Sequence, residues 1–220
     1  GLQFAFVADP VHCRWGEYSL VEATRRLMET ALSDVTFEAG HLLLLSTSCV
    51  PYRPLSSLQA FLRGRPGVEF IQAHDISQGR WVKGGLESER YQYYYPFNYR
   101  TQRRLFEWAT ERQREFGIRR AMPQGVNVHF GSQWFCLTRA TAAGVAAGLN
   151  QPAWRRWLRW SWIPDEFAVQ TLVAQLCPRS AIANHNLTYY EFDAQGQPLV
   201  LENGHLPHLM AQPFFFARKV

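Results

Sequence analysis

The segment "HLLLLSTSCVPYRPLSSLQAFL", residues 41–62, indicates the fold class of the chain. Its opening apolar run has no polar alternation, a pattern typical of a central parallel strand that is fully buried and covered on both faces. A turn at "CVPYRP" follows, and "SSLQAFL" then predicts a short helix over residues 56–62. A buried strand that leads through a turn into a helix is typical of α/β proteins.

The residues before this segment extend the same pattern. "QFAFVA", residues 3–8, reads as a strand, and "SLVEATRRLMETAL", residues 19–32, reads as a helix. Ser19 and Glu22 have the spacing of a capping box, in which each side chain satisfies a free backbone N–H at the helix start. The face expected to be buried carries apolar residues that recur at helical spacing, namely Leu20, Ala23, Leu27 and Ala31.

Strands and helices continue to alternate after the opening segment. "VEFIQ" (68–72) and "VNVHFGSQWFCLT" (126–138) predict strands, and "RATAAGVAAGL" (139–149) predicts a helix. Residues 73–99 lose all periodicity and predict a long irregular loop. The predicted fold class is therefore α/β, with a mainly parallel central sheet flanked by helices and a ligand at the carboxyl edges of the strands.

The composition describes a globular protein with a basic surface. Hydrophobic residues make up 47% of the 220 residues and charged residues 19%, and no linker divides the chain, so we expect a single domain over residues 1–220. The net charge of +5 favours an anionic partner, which could be nucleic acid, membrane phosphate or the diphosphate of a nucleotide-sugar. A basic surface would also suit peripheral association with a membrane.

Residues 100–116, "RTQRRLFEWATERQREF", predict a basic amphipathic helix. Its expected buried stripe includes Leu105, Ala109 and Phe116. The charge-rich face is more typical of a solvated helix surface than of a nucleic-acid reader. We therefore expect no nucleic acid among the partners.

Several kinds of catalytic and metal site have no matching motif in the sequence. GxGxxG, GxxxxGK[ST], GxSxG and HExxH are all absent, and no Asp-x-Asp pair is present to hold a divalent metal on a sugar nucleotide. A Glu-x-Glu pair occurs as "ESE" at residues 87–89, within the irregular region. The four cysteines lack CxxC spacing, which argues against zinc and against a disulfide framework. We expect neither a metal nor another cofactor.

Five blocks of the sequence carry a resemblance to a known family. They are "CRWGEYSLVEATRRLMETAL" (13–32), "LLLLSTSCVPYRPLSSLQAFL" (42–62), "HFGSQWFCLTR" (129–139), "PDEFAVQTLV" (164–173) and "FFFARKV" (214–220). In order and spacing they resemble the core 2 / I-branching β-1,6-N-acetylglucosaminyltransferase family. The likeness is closest to its plant-like and bacterial branch, in which a Ser-Cys-x-Pro turn, here with Cys49, replaces an Asp-containing turn.

The resemblance implies a GT-A-like, Rossmann-like nucleotide-sugar transferase that inverts configuration and needs no metal. The glutamate of the Pro-Asp-Glu block, the family's catalytic base, corresponds to Glu166. A basic residue of the terminal block contacts the donor diphosphate in the family, and it corresponds to Lys219, with Arg218 beside it. The resemblance also implies a first strand and helix before Gly1, and a site of action in the cytoplasm for a bacterial member or the Golgi lumen for a eukaryotic one.

The chemistry of such a transfer agrees with these residue types. An inverting transfer is one in-line displacement, so a single carboxylate that takes the acceptor proton is enough. Fixed cations can stabilise the departing diphosphate where other enzymes use a metal ion. Without the resemblance, Pro164, Asp165 and Glu166 read equally as the start of a helix, since acids there offset the helix dipole. Asp165 is expected to cap the helix or to position its neighbour.

Three further residues are candidates for the donor or acceptor pocket. Ser132 could hydrogen-bond either substrate, in a block where Gly131 would allow close backbone approach. Trp134 could be a platform for a sugar ring or a core residue, and a strand tryptophan more often buries its ring. Arg90 lies where animal members of the family place an arginine that contacts the acceptor, although a surface loop arginine is an equal reading.

Two classes of function stay open, with a third weaker one. The first is transfer of a sugar, N-acetylglucosamine or xylose, from a nucleotide-sugar such as a UDP-sugar to a hydroxyl of a glycan or glycoconjugate. The second is a non-catalytic, transferase-like module that binds glycans or other partners, because the stretch before the terminal lysine lacks a basic residue that animal members use. The third is a glycoside hydrolase, which would need a second acid opposite Glu166.

Overall fold

The computed structural model of the chain describes residues 4–33, 40–79, 87–193 and 196–220. Short strands and longer helices alternate along these ranges. The helices are α1 Ser19–Ser33, α2 Leu55–Arg63, α3 Glu89–Gln92, α4 Arg103–Glu115, α5 Arg139–Asn150, α6 Pro152–Arg159, α7 Ala168–Leu176 and α8 Leu206–Ala211. The strands are β1 His41–Leu43, β2 Val50–Pro51, β3 Phe70–Ile71, β4 His74–Asp75, β5 His129–Phe130, β6 Phe135–Thr138, β7 Thr188–Tyr189 and β8 Phe216–Ala217.

The mixed α/β character is confirmed, but the mainly parallel central sheet is not found in the described ranges. Their strands form three small sheets, in the orders β1-β6-β3, β2-β8-β7 and β4-β5. Every pairing is antiparallel except that of β7 with β8. The prediction of parallel strands was wrong because an apolar run indicates how deeply a strand is buried. It does not indicate whether the neighbouring strands are parallel or antiparallel to it.

The central strand of the first sheet is β6 and not the predicted run at residues 41–48. All four β6 residues are buried, whereas Leu42 and Leu43 of β1 are only half-buried. In the described ranges β1 lies at one edge of this sheet and pairs with β6, and the other edge strand, β3, is fully buried. The predicted strand at residues 3–8 is also not found: residues 4–8 are not in a strand, and residue 3 lies outside the described ranges.

The main core lies where α1, α5 and α7 pack around β6. α5 is rich in alanine and glycine, so its neighbours approach its backbone closely. At Gly148 a methyl group would lie 2.7 Å from a Leu172 methyl carbon of α7. The small residues of the predicted 139–149 helix therefore set the spacing between α5 and α7.

The buried face of α1 differs from the predicted one. It includes Glu22 and Arg25, whereas Leu27 is half exposed. Glu22 does not complete a capping box, because its carboxylate accepts hydrogen bonds from Arg25 and Arg26. The Arg25 hydrogen bonds, opposed by burial, lower the pKa of Glu22 to about 2. A charged pair thus forms part of a buried helix face that apolar periodicity predicts to be hydrophobic.

The predicted helix at residues 100–116 is found as α4, with a different register. Its buried residues are Phe106, Thr110 and Gln113, whereas Leu105 and Phe116 are exposed. The irregular region before it contains β4 and the short α3, and residues 80–86 lie outside the described ranges. No helix in the described part of the chain is long and apolar enough to cross a membrane.

Candidate active site

The Pro-Asp-Glu block forms a turn of its own before α7. Pro164–Glu166 is a single 3₁₀ turn, and α7 begins at Ala168. Ile163 enters the turn in the left-handed region, with φ +49°, and its amide N–H donates to the Gly16 carbonyl at 2.9 Å. Pro164 stands at the start of this 3₁₀ turn, but Pro164 and the two acids all lie ahead of α7. The interpretation of these three residues as the first turn of the helix is therefore wrong.

Glu166 forms an ion pair with Arg90 of α3. Arg90 Nη1 donates to Glu166 Oε2 at 2.6 Å. The Arg90 side chain is 7% exposed and that of Glu166 is 33% exposed. One side of the Glu166 carboxylate is thus held by a buried cation, and the side chain still reaches solvent.

Arg90 is fixed by aromatic rings as well as by Glu166. Its guanidinium carbon lies 5.5 Å from the Phe130 ring centre and 5.4 Å from that of Trp162. Contacts of a planar cation with ring faces are favourable, and more so where water is excluded. The interpretation of Arg90 as a surface loop arginine is therefore wrong: it is a buried helical residue that orients Glu166.

Asp165 has different surroundings from its neighbour. Its Oδ1 atom is buried and has no hydrogen-bond partner among the described residues, although the residue as a whole is partly exposed. Burial, and then the nearby charge of Glu166, raises the pKa of Asp165 to about 7. The 3₁₀ turn and α7 both begin without a side-chain capping hydrogen bond. The predicted capping role of Asp165 is therefore not found, and its carboxyl group lies partly enclosed beside Glu166.

Gly131 joins the Glu166 turn to the strand region before β6. Its amide N–H donates to the Glu166 carbonyl at 2.8 Å. A methyl group added at this position would overlap the carbonyl group of Gln72, 2.7 Å from its carbon. The expected close backbone approach is present, and only glycine satisfies it.

Two glutamines that the sequence interpretation missed organise this junction. Gln170 of α7 is fully buried, and its Nε2 donates to the carbonyls of Gly131, Ser132 and Asp165 at 3.2, 2.8 and 3.1 Å. Gln72 Oε1 accepts from the Ser132 amide at 3.3 Å and the Tyr190 hydroxyl at 3.0 Å. A polar residue inside the apolar run "AVQTLV" was the available signal for Gln170, since a buried amide needs hydrogen-bond partners.

Ser132 and Trp134 connect the junction to the end of the chain. Ser132 is half-buried, and its hydroxyl oxygen accepts from the Trp134 amide at 3.4 Å. Trp134 is 3% exposed, as expected for a core residue. The guanidinium carbon of Arg218 lies 4.4 Å from the Trp134 ring centre. This contact brings the terminal basic residues beside the "GSQWF" block.

The terminal basic residues differ in exposure. Arg218 is half-buried, and burial lowers its pKa from the ordinary value. Lys219 is exposed, and its carbonyl accepts from the Leu201 amide at 2.7 Å. The Cys49 turn lies close by, because β2 after it pairs with β8 in the register Val50 to Ala217. Arg218 is therefore a partly enclosed cation, whereas Lys219 is free to move in solvent.

Metal ligands are not grouped at this site. No set of three or more His, Cys, Asp or Glu residues is placed to hold a metal ion within residues 4–33, 40–79, 87–193 and 196–220. A cleft of about 440 Å³ lies nearby and includes Trp162 but not Glu166 in its lining. The Glu166 carboxylate and the terminal cations therefore lie outside the lining of this cleft.

Most of the candidate site residues lie within the region that a family model matches. The model of the Core-2/I-Branching enzyme family matches residues 2–210, which include Arg90, Ser132, Trp134, Asp165 and Glu166. The terminal basic block lies beyond the end of this match. No match to the chain was found among curated proteins. Because the family model covers nearly the whole chain, the protein belongs to the Core-2/I-Branching enzyme family of glycosyltransferases.

Proposed function

We propose that the protein is an inverting glycosyltransferase that needs no metal and uses Glu166 as its general base. The donor is a nucleotide-sugar, a UDP-sugar carrying N-acetylglucosamine or xylose, and the acceptor is a hydroxyl of a glycan or glycoconjugate. The observation that carries the proposal is the Glu166 carboxylate, which is one-third exposed and held at 2.6 Å by the buried Arg90. A base needs both access to a substrate proton and a fixed orientation.

In the proposed step, Glu166 takes the proton of the acceptor hydroxyl. The acceptor oxygen forms a bond to the anomeric carbon while the bond from that carbon to the diphosphate oxygen breaks, and the diphosphate leaves with the electron pair. Attack and departure occur on opposite faces of the sugar, so the configuration inverts. Arg90 positions Glu166 and offers its remaining N–H groups to the acceptor.

Two cations are proposed to stabilise the diphosphate as it departs. Arg218 is supported by its contact with the Trp134 ring and stays in place between turnovers. Lys219 is exposed and can close on the phosphate oxygens. Fixed positive charge near a departing diphosphate lowers the barrier in the manner of a metal ion.

Ser132 and Trp134 are proposed to serve the same pocket in different ways. The Ser132 hydroxyl accepts from the Trp134 amide, and it can also donate a hydrogen bond to a hydroxyl of the sugar donor or of the acceptor. Trp134 is buried, and its ring supports Arg218 instead of stacking on a sugar. Asp165, with a pKa of about 7, is proposed to tune the charge beside Glu166 and to take no proton from the acceptor itself.

A titration with UDP tests the donor half of the proposal. UDP is expected to bind equally with and without EDTA, and Lys219→Ala should weaken binding about tenfold, because a hydrogen bond between charged groups is lost. Arg104→Ala removes an exposed cation from α4 and serves as the matched control.

Two results would contradict this assignment. Loss of UDP binding in EDTA would show that a metal is required. Failure to bind any nucleotide, by a folded protein that still binds glycans, would favour the non-catalytic module instead.

A further inference from the structure

The cleft of about 440 Å³ does not include Glu166 in its lining and lies between three segments of the chain. They are the start of α1 with the residues before it, the loop 95–102, and residues 159–162 at the end of α6 and after it. A second hollow of about 420 Å³ adjoins it and shares Arg14, Trp15, Asn98 and Thr101 with it. The two hollows together have the volume of a small-molecule site and not of a long groove.

The walls of the cleft are held together by hydrogen bonds that leave its interior open. The Asn98 amide donates to Glu17 Oε1 at 2.7 Å and to the Trp15 carbonyl at 3.4 Å, and it accepts from the backbone N–H groups of Arg100 and Thr101. The loop 95–102 is therefore tied to the start of α1. A site whose walls are fixed before binding loses less entropy when a ligand enters.

Exposed tryptophans line the cleft. Trp15 and Trp160 are each 40% exposed. In the part of the chain that the structure describes, the Trp160 ring contacts no other aromatic ring, and 40% of the residue is open to solvent. The electron-rich face of an indole attracts the C–H groups on the flat side of a sugar ring, since these carry partial positive charge.

The arginines around the cleft have no carboxylate partners among the residues that the structure describes. Arg14 and Arg159 line the cleft and Arg100 lines the adjoining hollow, and none of the three is within ion-pair distance of an acid among the described residues. Of the two acids in the lining, Glu22 is already paired with Arg25 and Arg26. Glu17 is hydrogen-bonded to the neutral amide of Asn98. The cleft therefore carries an excess of positive charge next to its aromatic rings.

We propose that this cleft binds an acidic sugar residue, one that carries a carboxylate or a sulfate. The sugar ring would stack on Trp160, because the Trp15 ring already carries the Arg100 guanidinium 4.4 Å from its centre. The acidic group would be paired by Arg159 and Arg14. Asn98 holds the walls, and Thr101 and Gln102 offer hydrogen bonds to the hydroxyls. This site is separate from the Glu166 site and does not require that the protein transfers a sugar.

Titration calorimetry with two matched disaccharides tests the proposal. The first contains glucuronic acid and N-acetylglucosamine, and the second is the same compound with its carboxyl group reduced to hydroxymethyl. The acidic form is expected to bind about fivefold more tightly, the effect of one exposed ion pair, and the difference should shrink as salt is added. Equal affinities, or no binding of the acidic form, would overturn the proposal.

Paired variants locate the binding. Arg159→Gln should remove the preference for the acidic disaccharide, whereas Arg156→Gln, an exposed arginine of the same helix that does not line the cleft, should keep it. Trp160→Ala should weaken both disaccharides about tenfold, and Trp108→Ala, an exposed tryptophan of α4, should leave them unchanged. Equal losses within either pair would contradict a site in this cleft.

One variant separates this proposal from the proposed function. Glu166→Gln should bind the acidic disaccharide as the unchanged protein does, whatever it does to transfer. Loss of disaccharide binding in Glu166→Gln would assign the ligand to the Glu166 site and overturn a second site. Preference for a single-stranded oligonucleotide over the acidic disaccharide would equally overturn it, because stacking and cations also suit nucleic acid.

Discussion

Glu69 and Glu166 are both glutamates whose carboxylates accept short hydrogen bonds, and their surroundings differ in what they leave free. Glu69 is 3% exposed, and its carboxylate accepts from the Thr138 amide, the Thr138 hydroxyl and the Thr141 hydroxyl at 2.8, 2.7 and 2.6 Å. Glu166 has Arg90 at 2.6 Å and keeps a third of its side chain exposed. The Glu69 carboxylate is occupied by hydrogen bonds at the start of α5. The Glu166 carboxylate can still accept a hydrogen bond from a substrate.

The largest expected effect comes from Glu166→Gln. The amide keeps the shape of the side chain but cannot take a proton, so kcat should fall by about 10²–10⁴. UDP binding and the melting temperature should stay close to those of the unchanged protein. Transfer assays with Glu115→Gln, an exposed glutamate of α4, as the control check this. Full turnover in Glu166→Gln would show that Glu166 is not the base. Glu166 and Glu69 would then not differ in catalytic role.

Glu69→Gln should give the reverse result. Its amide nitrogen would face the Thr138 amide N–H, which leaves a buried donor unsatisfied, so the free energy of unfolding should fall by about 1–3 kcal/mol. Chemical denaturation measures this, and the melting temperature should fall with it. Turnover per folded molecule should not change. A Glu69→Gln variant that is as stable as the parent but inactive would contradict a purely structural role for Glu69.

Arg90→Lys tests the comparison of Glu166 with Glu69 through Arg90, the ion-pair partner of Glu166. Lysine keeps the positive charge but loses the planar group that lies against Phe130 and Trp162. We expect kcat to fall about tenfold, because the Glu166 carboxylate is held less firmly, with a smaller effect on the KM for the donor. Arg114→Lys, which affects the exposed ion pair with Glu89, is the control. A change in donor KM alone would assign Arg90 to substrate binding.

The smallest expected effect is that of Asp165→Asn on the pH dependence of stability. Asp165 has a pKa of about 7 in the folded protein and 3.8 ordinarily, so the folded state binds its proton more tightly. The resulting stabilisation is complete below about pH 4 and is lost as the pH rises through about 7. Between about pH 5 and pH 8 the melting temperature of Asp165→Asn should fall less than that of the parent, by roughly 2–4 °C. Parallel curves for the two proteins would contradict the raised pKa.

The sequence predicted the helices better than their buried faces or the sheet. α2, α4 and α5 lie close to their predicted ranges because their periodicity and turns are local properties. The buried face of α1 was wrong because an ion pair between Glu22 and Arg25 fills part of it, and only tertiary contacts decide that. Strand direction depends on pairing between distant segments such as 41–43 and 135–138.

Sequence motifs identified single candidate residues of the site, but they did not reveal the contacts between residues that lie far apart in the sequence. Glu166 was a candidate from its motif. Its ion pair with Arg90 joins residues 76 positions apart, and no local pattern reveals such a pair. Gln170 bridges backbone carbonyls of other segments, and Gln72 links the Ser132 amide to the Tyr190 hydroxyl. Such roles become visible only when the segments are placed side by side.

The packing at Gly131 limits how the site can change. Its backbone contacts both the Glu166 carbonyl and the Gln72 carbonyl group, so any side chain there would push apart two segments almost 100 residues distant from one another. New donor or acceptor preferences in this chain should therefore arise at surrounding positions, whereas position 131 stays constant. Libraries that alter specificity would retain more folded variants if they left Gly131 fixed and varied Ser132 instead.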